Sequence, residues 1–127
     1  MSTQAKYQSV LNFGQELGAQ FSSLAEENGV LKFAATVHTQ YDKNEIWDKI
    51  KAVGGDAPAD LVADIRVETN DYYAKYTVVK GDTLGKISKH FYGEAGKYMQ
   101  IFNANTNILS NPDLIEVGQV LVIPFEQ

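Results

Sequence analysis

A strand-like run, Tyr76-Thr77-Val78-Val79, is followed within one residue by Gly81-Asp82-Thr83-Leu84, and a helical pattern begins at once. So abrupt a junction leaves few folds open. Glycine supplies the turn, and Asp82 or Thr83 can cap the helix by accepting a bond from a free amide. Leu84, Ile87 and Phe91 then recur at i, i+3 and i+7 and mark one inward face. Tyr92-Gly93 ends that helix, and Tyr98, Ile101, Phe102 and Asn105 mark a second. Turns at Asn111-Pro112-Asp113 and Val117-Gly118-Gln119 lead to a closing strand, Val120-Leu121-Val122-Ile123, before Pro124. The expected module is βααβ, with two helices covering one face of two strands.

The preceding residues carry a different pattern. Val10, Leu17, Phe21 and Leu24 form one apolar stripe, so residues 4–28 are expected to be helical, ending at Asn28-Gly29. Gly14 and Gly18 interrupt that stretch at about 1 kcal/mol each, which calls for a helix break or a close approach. Leu31, Phe33, Ala35 and Val37 alternate with more polar neighbours, the signature of a half-buried strand. Asp42-Lys43-Asn44-Glu45 has the spacing of a capping box with Asp42 as cap, and Ile46, Trp47, Ile50 and Val53 line one face of its helix. Gly54-Gly55 stops that helix, Asp56-Ala57-Pro58 makes a loop, and Leu61, Ala63, Ile65 and Val67 alternate as a second strand. This half reads helix–strand–helix–strand. The joint Glu68-Thr69-Asn70-Asp71 is short and lacks a Pro/Gly/Ser run, so two modules, 1–70 and 71–127, are expected to pack together. The fold class is α+β.

Chemistry is bounded chiefly by what is missing. With no cysteine there is no disulfide, thiolate nucleophile or Cys-type zinc site. A net charge of −5, from 11 basic and 16 acidic residues, disfavours nucleic acid and anionic membrane as partners and mildly favours cations. No segment has the pattern of a secretory signal or the length of a membrane span, and the chain opens on Met1, so a cytoplasmic monomer is expected. His38 and His90 lie in different modules with no triad, metal spacing or phosphate-cradling loop beside them; the expectation is a protein that is not an enzyme.

In order and spacing, Tyr76-Thr77-Val78, Gly81-Asp82-Thr83-Leu84, Ile87-Ser88, Phe91-Tyr92-Gly93, Ile101-Phe102, Asn105 and residues 118–124 resemble a LysM domain. Ala35-Thr36-Val37, Ile50-Lys51-Ala52-Val53-Gly54 and Val62 resemble a BON domain, an αββαβ module, shortened here by one strand. A BON-like half followed by LysM is similar to the family of bacterial potassium-binding proteins, which change conformation on taking K+. That resemblance implies K+ as the bound ion, with binding coupled to docking of the two modules.

K+ is selected by a cage of oxygen dipoles that replaces its hydration shell. Carbonyls without partners occur at helix ends and in glycine-bearing loops, which here means residues 10–17 and 53–58. The resemblance implies the carbonyls of Val10, Phe13, Gln15, Gly54, Asp56 and Ala59 as ligands, with the carboxylates of Glu16 and Asp56 adding field. The LysM resemblance implies an alternative ligand, an N-acetylated glycan of the peptidoglycan or chitin type. It would lie between Gly81, Asp82, Thr83 and Leu84 on one side and Asn107, Ile108, Leu109 and Pro112 on the other.

Overall fold

The structure, a computed structural model, describes residues 2–127 and divides into two compact units between Asn70 and Asp71. Both mix helices and strands, so the fold is α+β.

The N-terminal unit opens with helices α1 (Thr3–Lys6) and α2 (Gln8–Glu16). Gly18, at φ 82°, then turns the chain into strand β1 (Gln20–Glu27) rather than letting the helix continue. Strand β2 (Val30–Val37) pairs with it antiparallel, from Gln20 opposite Thr36 to Glu27 opposite Val30. Asn28-Gly29 is therefore a hairpin turn and not a helix end. Both residues take positive φ, 53° and 78°, as the two-residue turns that match strand twist require. This corrects the expectation of one helix over residues 4–28. The strand missing from the sequence reading is present, and the order is α–β–β–α–β once α1 and α2 are counted as one helical arm.

Helix α3 (Gln40–Gly54) follows, and strand β3 (Leu61–Val67) returns parallel to β2 from Leu31 opposite Leu61 to Val37 opposite Val67. The helix is capped by Thr39, whose hydroxyl accepts the Asp42 amide at 3.3 Å; the expected cap, Asp42, instead lies within the first turn. Leu31, Phe33, Ala35, Val37, Ile46, Ile50, Leu61 and Ile65 are buried with Tyr7, Val10 and Leu11 in one core. The inward positions of β2 and α3 are those expected from their periodicity.

In the C-terminal unit, β4 (Ala74–Thr77) pairs antiparallel with β5 (Val120–Ile123), and α4 (Leu84–Tyr92), a 3₁₀ turn (Ala95–Lys97) and α5 (Tyr98–Ala104) lie between them in sequence. The first strand starts two residues earlier than expected. Tyr73 donates its amide to Ile123 at one end, while Asp82 pulls Val79 out of the ladder by accepting its amide at 2.8 Å. Thr83 caps α4 by accepting the Lys86 amide at 3.1 Å, and Gly93 ends it in the left-handed conformation. Among the described residues no helix is long and apolar enough to cross a membrane.

Candidate functional site

Gly54 and its loop are held by the residues before α2. A Cβ at Gly54 would lie 2.1 Å from the Tyr7 hydroxyl and 3.1 Å from Pro58 Cβ, so only glycine fits there. The ring of Tyr7 is fully buried, and its hydroxyl donates to Asp60 Oδ1 at 2.5 Å. Lys6 Nζ donates to Asp60 Oδ2 at 2.6 Å. The loop from Gly55, at φ 86°, to Asp60 is thus anchored at both ends by adjacent residues of the helical arm. Among the described residues no backbone amide donates to the carbonyls of Gly54, Asp56 or Ala59. Gly54 is the last residue of a 15-residue helix, where the macrodipole is negative and favours a cation, and Asp56 and Ala59 follow in the loop.

The other half of the expected cage is on α2. Tyr7 touches Gly54, whereas the Phe13 ring lies 5.7 Å from Lys49 Nζ, so α2 runs antiparallel to α3. Helical carbonyls point toward their helix's C-terminus. Val10, Phe13 and Gln15 lie on α2, just beyond the Tyr7 that meets Gly54. Phe13 already accepts the Leu17 amide at 3.1 Å, and Gln15 accepts the Gly18 amide at 3.0 Å. Of the six, those of Phe13 and Gln15 thus already accept backbone amides, those of Gly54, Asp56 and Ala59 do not, and Glu16 is the last residue of α2. Sequence reasoning passed over the anchors Lys6, Asp60 and, above all, Tyr7. It lacks a periodic partner, and its role depends on a glycine far along the chain.

Asp60 is held below the usual carboxylate range, first by the hydrogen bond from Lys6 and then by that from Tyr7. Burial, and after it the bond to Asp60, pushes the Tyr7 phenol up. A carboxylate whose folded pKa is lowered stabilises the fold above its unfolded value, and that stability is lost as pH falls through the folded value. Asp60→Asn should lower the thermal midpoint of the N-terminal unit at pH 7. The difference from wild type should shrink below about pH 4, where unfolded aspartate protonates. Fluorescence of Trp47, the one tryptophan, follows this unit alone.

The second candidate is a groove in the C-terminal unit. Asp82, Thr83, Leu84 and Gly85 form one wall and Pro112, Asp113 and Ile115 the other, with Tyr98 between them, around a volume of about 330 Å³. Asp82 is fixed there by the Tyr76 hydroxyl at 2.6 Å and the Val79 amide, which hold its carboxyl below the usual range. Of the residues expected to bind glycan, Asp82, Thr83, Leu84 and Pro112 line this groove. Gly81 makes the turn before it at φ 90°, Leu109 is buried in the core, and Asn107 and Ile108 are exposed outside the lining. Gly85, Tyr98, Asp113 and Ile115 were not anticipated.

The histidines take no part in either place. His38 Nδ1 lies 3.6 Å from Glu68, and His90 packs edge-on to Phe91 at 4.9 Å.

Residues 76–124 match the family model of the LysM domain, so the C-terminal unit is a LysM domain and the chain a LysM-containing protein. It is similar to potassium binding protein Kbp of Escherichia coli O6:H1, 57% identical over 51 residues that make up 40% of this chain and 34% of that protein. It is also similar to esterase Rv1288 of Mycobacterium tuberculosis, 42% identical over 90% of this chain but 25% of that protein. The secreted LysM effector ECP6 of Passalora fulva is 48% identical over 39% of this chain and 20% of its own length. The matched stretches thus span about a third or less of these relatives.

Proposed function

We propose that this chain is a cytoplasmic, non-enzymatic potassium-binding protein whose ion sits in the loop that follows α3. The observation that carries the reading is the set of carbonyls at Gly54, Asp56 and Ala59, which no backbone amide occupies, at the negative end of a helix. Likeness to potassium binding protein Kbp and the α–β–β–α–β order, which is that of the BON module, support it. Asp56 adds negative field in the same loop. The Phe13 and Gln15 carbonyls would have to share or release the amides of Leu17 and Gly18 to join, so the ion would favour one conformation over another by its differential affinity. Carbonyl ¹³C shifts at Gly54, Asp56 and Ala59 that move with KCl and stay still with equal NaCl would support the assignment. No movement with either salt would end it. Coupling to the LysM domain predicts weaker K+ affinity for residues 1–70 alone than for the full chain; equal affinities would remove the coupling.

A second reading rests on the groove between residues 82–85 and 112–115, which shares Asp82, Thr83, Leu84 and Pro112 with the residues expected to grip a glycan. Free amides at the start of α4 and an apolar floor of Leu84 and Ile115 suit an acetamido group, which offers one donor, one acceptor and a methyl. Chitin oligomers added to the full chain should shift the amide resonances of Thr83, Gly85 and Asp113. Unmoved resonances at millimolar oligomer would dismiss this reading without touching the first.

A further inference from the structure

The C-terminal unit has a further cavity, of about 310 Å³, that neither reading uses. It is lined by Tyr73, Phe91, Tyr92, Phe125 and Glu126. Four of its five lining residues are aromatic. The rings of Tyr73 and Phe125 stand 5.7 Å apart at 56°, so they form a corner rather than a stack. Phe91 is fixed edge-on by Tyr76, with centroids 5.7 Å apart at 78°. The Tyr92 hydroxyl donates to the Pro124 carbonyl, so its ring is pinned to the segment that carries Phe125 and Glu126. That segment is itself tied down, because the Gln127 amide donates to Gln100 Oε1 at 3.1 Å and Glu126 pairs with Lys97. The cavity is therefore built, its walls held by bonds to several elements.

Its charge is also defined. Glu126, the one carboxylate of the lining, pairs with Lys97, which also lies 3.9 Å from Glu94. Burial, and then the nearby Glu126 charge, pushes the Tyr92 phenol up to about 12, so the ring stays neutral and electron-rich at any physiological pH. Aromatic faces converging beside a carboxylate attract a soft cation whose hydration is weak, and methylated ammonium groups are of that kind.

We infer that the cavity bounded by Tyr73, Phe91, Tyr92, Phe125 and Glu126 binds an N-methylated ammonium group. The group is small enough for the volume, and its positive charge complements the rings and the Glu126 carboxylate. Free choline and a trimethylated lysine side chain share this chemistry.

The test titrates the full chain with choline chloride, with Nε-trimethyllysine, and with the neutral isostere 3,3-dimethylbutanol, following amide resonances of Tyr73, Tyr92, Phe125 and Glu126. The inference expects saturable shifts with the cations and at least about fivefold weaker binding of the alcohol. Phe125→Leu, which keeps an apolar side chain at a 40% exposed position, should weaken cation binding by a similar factor without unfolding the unit. A preference for choline over trimethyllysine, or the reverse, identifies the source. Equal binding of alcohol and cation, unmoved resonances, or an unaffected Phe125→Leu protein would overturn the inference.

Discussion

Replacing Gly54 by alanine should destabilise the N-terminal unit by about 3 kcal/mol, near the upper end for an overpacked site. The added Cβ would lie 2.1 Å from the Tyr7 hydroxyl and 3.1 Å from Pro58, and neither neighbour is free to retreat. Tyr7 is fully buried and bonded to Asp60, so moving it breaks that bond as well. For a unit this small, such a loss lowers the thermal midpoint by more than about 10 °C. Trp47 fluorescence should report the change, while Gly96→Ala, with open space around it, should leave both units within about 0.5 kcal/mol of wild type. Tyr7→Phe removes the hydroxyl that meets the new methyl, so Gly54→Ala should cost less in a Tyr7→Phe background than in wild type. Additive effects would show that the close approach is not what requires glycine.

The corresponding point in the C-terminal unit is Asn105. It is buried, and its side chain makes three bonds: Nδ2 to the carbonyls of Ile101 at 2.7 Å and Val122 at 2.8 Å, and Oδ1 from the Val122 amide at 2.9 Å. One side chain thus closes the end of α5 and fastens it to β5. Asn105→Ala should cost about 3 kcal/mol, at about 1 kcal/mol for each bond. Asn105→Asp should cost more at neutral pH, since a carboxylate would face two carbonyl oxygens. Its folded pKa would be raised, so its deficit should narrow as the pH falls and the acid protonates. Hydrogen exchange at the Val122 amide reads both variants. Protection equal to wild type in Asn105→Ala would remove the side chain from this role.

What the sequence revealed and what it hid follow from where each signal resides. Periodicity placed β2, α3 and β3 because their buried positions repeat: Leu31, Phe33, Ala35 and Val37 on one, Ile46 and Ile50 on the next, Leu61 and Ile65 on the third. It failed on β1 because this edge strand is exposed at seven of eight positions and so has no alternation to read. Its Ala25, Glu26 and Glu27 are helix formers, and only pairing with β2 overrides them. Asn28-Gly29 was the available signal, since the same dipeptide that ends a helix also makes the tightest hairpin. Asp42 offered the spacing of a cap, but Thr39 came first in the chain and took the position. The LysM half was more legible because its turns, caps and Asn105 are local or carried by a short motif.

The candidate sites divide in the same way. Groove residues Asp82, Thr83, Leu84 and Pro112 belong to two turns that can be recognised from residue type. Tyr98 and Ile115 enter from elements whose orientation only the folded unit defines. At the loop after α3, Gly54-Gly55 and Asp56 were visible as a helix stop, but the fixing of that loop by Lys6 and Tyr7 through Asp60 spans more than fifty residues. Nor can a stripe of residues on α2 disclose that the carbonyls of Phe13 and Gln15 are taken by the amides of Leu17 and Gly18.

The central claim is specific K+ binding by the N-terminal unit, and it is tested most directly by thermal unfolding of the full chain at matched ionic strength in KCl and in NaCl. Trp47 fluorescence would be followed in both. At a hundred times the dissociation constant a specific ion stabilises by about 2.7 kcal/mol, and the account predicts a rise of about 10 °C or more with K+ over Na+. Superimposable curves in the two salts up to high millimolar concentration would contradict it.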